Sequence, residues 1–127
     1  MTSKEQLEHG ELDVLTPEET KDLMEKGEAV LLDVRTPAEY AFEHIRGALL
    51  APLSDFDPDL LPAQEGKRII LHCGSGVRSK IAAERMLDAG IGPVAHMDGG
   101  MAAWKRAKLP FITTDPISGS PRSAVSG

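Results

Sequence analysis

The sequence holds a single cysteine, Cys73, among its 127 residues. That scarcity excludes an internal disulfide, a cysteine-ligated metal cluster and an internal resolving thiol. Any covalent adduct formed on Cys73 must therefore be resolved by an external group. Cations are also in the minority: 14 Lys and Arg stand against 20 Asp and Glu, a formal charge of −6. Phosphate contacts need clustered cations, so no nucleic-acid partner is expected. An anionic substrate would have to be drawn by local groups rather than by the field of the whole protein. No apolar run is long enough to cross a bilayer, and no membrane partner is expected. The polar opening Met1-Thr2-Ser3-Lys4-Glu5-Gln6 lacks the apolar core of a signal peptide. The expectation is a cytoplasmic protein, in a reducing compartment where a free thiol survives. No pair of histidines has the spacing of metal ligands on one helix face, so neither a metal nor an organic cofactor is expected.

What is present is organised around residues 69 to 80. The apolar run Ile69 to Leu71 stops at His72 and Cys73, and Gly74 and Gly76 follow within three residues. Arg78 and Ser79 then lead into Lys80 to Leu87, where apolar residues recur at helical spacing. The pattern reads as strand, tight loop and helix, with the sulfur at the first loop position. A helix start presents amide N–H groups without intrahelical partners, and its dipole adds partial positive charge. A short Gly-rich loop turns further N–H groups inward into a concave anion site. A cysteine at the rim of such a site is more easily ionised. Cys73 facing the amides of Gly74, Ser75, Gly76, Val77 and Arg78 is thus a candidate nucleophile for an anionic substrate. His72 is its neighbour, but adjacent strand residues point to opposite faces, which turns that imidazole away from the sulfur.

The rest of the chain reads as one α/β domain over residues 11–115, with residues 1–10 loose and 116–127 a flexible Ser/Pro/Gly-rich tail. Leu12 to Leu15 reads as a short edge strand. Thr16-Pro17-Glu18-Glu19 is a capping box with proline at the first helical position, opening a helix that stops at Gly27. Ala29 to Val34 is a continuous apolar run suited to a parallel sheet buried on both faces. Thr36-Pro37-Ala38-Glu39 repeats the capping box before a short helix, and Gly47 to Ala51 reads as a strand closed by Pro52. Residues 53 to 66 allow one short helix and a loop. The helix after Arg78 should end at Gly90. Val94 to Met97 is a further strand, Asp98-Gly99-Gly100 a tight turn, and Trp104 the anchor of a last helix. Strands alternating with helices predict layers around a parallel sheet.

The loop Cys73-Gly74-Ser75-Gly76-Val77-Arg78 resembles the active-site loop of the rhodanese sulfurtransferases. Leu31-Leu32-Asp33-Val34-Arg35 resembles that family's first signature, and Glu43-His44-Ile45-Arg46-Gly47-Ala48 its His-Ile-x-Gly-Ala segment. Met97-Asp98-Gly99-Gly100-Met101-Ala102-Ala103-Trp104 is similar to its closing motif. The four motifs follow the family's order over residues 12 to 110. The resemblance implies a rhodanese-like three-layer α/β sandwich around a mainly parallel, roughly five-stranded sheet. With no internal repeat, it implies the single-domain form.

It also implies a function: sulfane sulfur passes from thiosulfate or a persulfide donor to cyanide or a thiol, through a persulfide on Cys73. The acceptor thiol is a protein or a low-molecular-weight compound. Related phosphatases place one more residue between cysteine and arginine, whereas four separate Cys73 from Arg78 here. The smaller ring of amides suits one extra sulfur atom better than a phosphoryl group. A small phosphatase or arsenate reductase therefore ranks below sulfur transfer. A non-catalytic or weakly active sulfur-carrier or regulatory module stays as the other alternative. Arg78 has two candidate roles, bonding to loop carbonyls or binding the sulfonate end of a donor. Asp33 and Arg35, at the carboxyl end of a strand, are supporting residues, either an ion pair that orders the loop or a purely structural one. His44 is expected to pack or cap, and His9 and His96 stand alone.

Overall fold

The computed structural model describes residues 3–126. Met1, Thr2 and Gly127, parts of the expected loose terminus and tail, lie outside the described residues. In chain order the elements are β1 (Ser3–Leu7), β2 (Gly10–Leu15), α1 (Pro17–Glu25), β3 (Ala29–Asp33), α2 (Pro37–Phe42), β4 (Glu43–His44) and β5 (Leu49–Leu50). After two single-turn 3-10 helices, Leu53–Asp55 and Pro58–Leu60, come β6 (Arg68–His72), α3 (Val77–Asp88), β7 (Val94–Met97), α4 (Gly100–Arg106), β8 (Phe111–Thr114) and β9 (Pro121–Ala124).

Both capping boxes form. Thr16 Oγ1 accepts from the Glu19 amide at 3.1 Å while Glu19 accepts from the Thr16 amide at 2.9 Å. Thr36 and Glu39 do the same at 3.2 and 3.1 Å. Each box satisfies two amides that a helix start leaves orphaned, which is why two short helices begin where they do.

The main sheet runs β1-β2-β7-β6-β3-β5, with every pair parallel except the first. Successive residues of a strand face opposite sides. Leu32, Ile69 and Leu71 accordingly join Ala82, Ala83 and Met86 of α3 in one core. Leu31, Ile70, Ala95 and Met97 join Trp104 and Phe111 in the other. Both faces of β6 are thus covered, and a fully buried Leu such as Leu71 contributes roughly 1.5–3 kcal/mol. The arrangement makes Cys73, immediately after β6, leave the sheet from its middle rather than from an edge.

The structure adds strands β4 and β8 and a second 3-10 turn in residues 53–66 to the sequence reading, and two terminal segments differ from it. Residues 3–7, expected to be loose, pair antiparallel with β2, so Leu12 to Leu15 is not an edge. Their polar side chains face solvent and hide the strand signal, while backbone pairing and the packing of Leu7 against the core hold the segment. Pro121–Ala124, within the expected flexible tail, pairs with β8 in a second sheet ordered β4-β8-β9, and Ala124 packs on the Trp104 side of the core. Among the described residues no helix is long and apolar enough to cross a membrane.

Candidate active site

β6 ends at His72, and only Cys73, Gly74, Ser75 and Gly76 separate it from α3. Gly76 takes a left-handed conformation, φ 112°, which a side chain would disfavour. That turn starts the helix at Val77, earlier than the apolar spacing suggested, and puts Arg78 and Ser79 in its first turn. The Gly76 amide then donates to Cys73 Sγ at 3.1 Å and the Ser79 amide at 3.4 Å, with Ser79 Oγ 3.7 Å from the sulfur. Burial pushes the Cys73 thiol pKa up, but the amide and hydroxyl of Ser79 and the amides of Gly76 and Ser75 outweigh it. The net shift is downward. Val77 instead turns its side chain to solvent, 66% exposed.

Two carbonyls at the start of the loop are held by α4. At the start of α4 the Met101 amide donates to the Cys73 carbonyl at 2.8 Å, and the Ala102 amide to the Gly74 carbonyl at 3.1 Å. In a trans peptide C=O and N–H point in opposite directions, so anchoring the Gly74 carbonyl on α4 turns the Ser75 amide away from α4. Gly100 permits this docking. A Cβ there would run into the Cys73 carbonyl, and its φ of 58° suits glycine. The Gly99-Gly100 pair, read as a turn, is thus also the floor on which the loop rests. Trp104 is buried and donates to the Pro110 carbonyl at 2.9 Å.

The sulfur is not at the rim. Cys73 retains 1% of its surface and belongs to the core cluster that holds Leu32, Val34 and Leu71. Arg78 makes a contact that neither expected role named. Its guanidinium forms a bidentate pair with Glu39, at 2.7 and 3.0 Å, tying the first turn of α3 to the capping box of α2. Arg78 is the main reason the Glu39 carboxyl is lowered to about 2, and Glu39 in turn raises Arg78. The cation closest to the loop is thus already engaged by a carboxylate.

Asp33 and Arg35 form a second, separate cluster. Arg35 donates through its amide and Nε to Asp33 Oδ1 at 3.0 Å and through Nη2 to Oδ2 at 2.8 Å and to the Glu43 carbonyl at 2.7 Å. Asp33 is opposite His72 in the parallel register, and His72 Nε2 approaches its Oδ2 to 3.4 Å. Burial opposes the charge on Asp33, but His72 and Arg35 prevail and hold its carboxyl well below the usual range. The His72 ring meets the Cys73 carbonyl, at 3.2 Å, on the backbone side of that residue. His44 stacks on Tyr40 with ring centroids 4.1 Å apart, and His9 does not stand alone but meets Glu84 at 2.8 Å. A cleft of about 240 Å³ lined by Met24, Ile45, Trp104 and Phe111 opens in the other layer and includes no loop residue. Among the described residues no group of three or more His, Cys, Asp or Glu is placed to hold a metal.

A mainly parallel α/β sheet with a cysteine-headed loop of amides at the carboxyl end of its central strand defines a class of thiol-centred sites. The chain belongs to the rhodanese-like domain family, whose model matches residues 16–107. A Synechocystis protein described as uncharacterized is 40% identical over 106 residues, covering 82% of this chain; the chain spans 59% of that relative's length. The thiosulfate sulfurtransferase GlpE of Haemophilus influenzae is 32% identical over 109 residues, covering 79% of this chain and 94% of its own. The crystal structure of a rhodanese-related protein from Thermoplasma volcanium shares the fold, with TM-score 0.68 and 23% identity over 77% of this chain and 95% of that one.

Ser79 and Glu39 were missed as site residues by sequence reasoning. Ser79 immediately follows Arg78, but its role depends on where the helix begins. Glu39 was legible only as a capping residue.

Proposed function

We propose that this protein is a single-domain sulfurtransferase that carries sulfane sulfur as a persulfide on Cys73. The observation that carries the reading is the convergence of the Gly76 and Ser79 amides on Sγ, with the thiol pKa drawn down despite burial. In the first half-reaction the Cys73 thiolate attacks the outer sulfur of thiosulfate or of a persulfide. A new S–S bond forms, the donor's S–S bond breaks, and its electron pair leaves with sulfite or a thiolate. In the second, an acceptor thiolate or cyanide attacks the outer sulfur and returns Cys73 as thiolate, a ping-pong scheme. Gly74, Ser75, Gly76 and Val77 shape the space for the added sulfur, and Arg78, held by Glu39, keeps the helix end in place. Asp33 and Arg35 brace the neighbouring strand. The name of the Haemophilus relative supports thiosulfate as a donor, whereas the pairing of Arg78 with Glu39 favours a persulfide.

Burial of Cys73 and pairing of Arg78 also give weight to a second reading, a sulfur-carrier or regulatory module with little turnover of its own. Intact mass spectrometry separates the two. After incubation with thiosulfate or glutathione persulfide, the transferase gains one sulfur atom that cyanide removes and Cys73→Ser abolishes. No adduct with either donor contradicts sulfur transfer.

A further inference from the structure

His96 is fully buried in β7, beside β6. Its Nδ1 is 2.7 Å from Ser79 Oγ, and its Nε2 has no hydrogen-bond partner among the described residues. Ser79 Oγ is 3.1 Å from the Gly76 carbonyl and 3.7 Å from Cys73 Sγ. A line of contacts thus runs from the sulfur through one hydroxyl to one imidazole that no step above uses.

Counting hydrogens gives that line a direction. A hydroxyl has one hydrogen, and the Gly76 carbonyl can only accept. With the Ser79 hydrogen on that carbonyl, the 2.7 Å contact is a hydrogen bond only if His96 Nδ1 is protonated and donates to Ser79 Oγ. The same tautomer leaves Nε2 as a bare lone pair. The other would strand a buried N–H, the rarer and more costly defect. Burial, then Lys80, lowers the His96 pKa, while Asp98 and Glu5 oppose them; the net effect favours the neutral ring.

We propose that His96 is a positioning residue for the Cys73 sulfur: its Nδ1–H anchors Ser79 Oγ so that the hydroxyl hydrogen can turn from the Gly76 carbonyl to the thiolate. The proton of Cys73 leaves to a solvent base and its electron pair stays on sulfur. Ser79 keeps its hydrogen and exchanges one acceptor for another, and His96 stays neutral throughout. Arg78 is the charged group whose field also acts on the thiolate. In sulfur transfer the thiolate is both the attacking group and the group released, so its stabilisation serves both halves. This role rests on the sulfurtransferase reading, but its readout requires no sulfur transfer.

Ultraviolet titration of the thiolate in the full chain, with Cys73→Ser as blank, reads the effect. His96→Leu should raise the thiol pKa by about one unit, the size of one lost hydrogen bond in a charged network. His96→Asn sets an amide N–H where Nδ1 stood and should restore most of that shift. Ser79→Ala should raise the pKa at least as far, and adding His96→Leu to it should change nothing more, because His96 acts only through Ser79. An unshifted thiol in His96→Leu, or additive shifts in the double variant, overturns the proposal. Nitrogen-15 NMR of the imidazole in the unmutated protein needs no variant to fold. A protonated Nδ1 with bare Nε2 near pH 7 supports the proposal, and the reverse tautomer overturns it. Failure of sulfur loading with these results intact would sink the transferase reading and leave the coupling of His96 to the thiol standing.

Discussion

Among the arginine–carboxylate pairs of the described residues, the two near the sulfur loop differ in what surrounds them. Arg35 and Asp33 are sealed, their side chains 6% and 0% exposed, on one strand end beside His72. Arg78 and Glu39 are 34% and 38% exposed and join elements 39 residues apart in sequence. The first pair has no water to fall back on, so its geometry is part of the fold. The second is screened, and what it sets is the charge presented at the sulfur loop rather than stability. Two pairs of the same chemistry thus divide into a brace and a tether.

The largest effect is expected where the brace is broken on one side. Arg35→Ala leaves Asp33 buried without its main hydrogen-bond donor, and urea unfolding should show a loss of about 3–5 kcal/mol. The Asp33 carboxyl is held below its unfolded value of about 3.9, so it contributes stability above pH ~4 that is lost as pH falls further. Arg35→Ala should therefore move acid unfolding to higher pH, and a variant as stable as the parent would mean that the pair braces nothing.

A middle effect is expected from Gly100→Ala, which tests whether the loop is held by α4 rather than by Arg78. The added methyl meets the Cys73 carbonyl in a left-handed backbone, so a loss of about 2 kcal/mol is expected together with a raised Cys73 thiol pKa. A stability loss with the thiol pKa unmoved would assign amide alignment to something other than α4.

The smallest effect on stability belongs to the tether. Glu39→Gln keeps the capping box, since glutamine also serves at that position, and removes only the charge. Stability should fall by less than about 1 kcal/mol. The Glu39 carboxyl, lowered to about 2, contributes what little it does above pH ~4.5, and that contribution fades as pH falls toward 2. Freed of its partner, Arg78 should lower the KM for thiosulfate about threefold, consistent with a screened charge worth under 1 kcal/mol. An unchanged KM would mean that Arg78 does not meet the donor even when available.

The contrast also explains what could be read from the chain alone. The five parallel strands, both capping boxes and the cysteine loop follow from local patterns: buried apolar runs, Thr-Pro-x-Glu and closely spaced glycines. The brace was half legible, because Asp33 and Arg35 are two residues apart on one strand end. The tether was not, since nothing in Thr36 to Glu39 points to a residue in α3. Strands β1 and β9 escaped because polar backbone pairing leaves no hydropathy signal. Burial of Cys73 escaped because its side chain joins a core with Leu32, Val34, Phe56 and Ala82, a contact set that no short segment contains.

The central claim is that the Ser75, Gly76 and Ser79 amides hold the anionic sulfur of Cys73. Two-dimensional amide NMR across a pH series observes those three groups directly. Their proton shifts should titrate together, with one midpoint below the ordinary thiol value of about 8.5, and should be silent in Cys73→Ser. Amides that do not respond, or that respond with a midpoint at or above that value, would contradict the account.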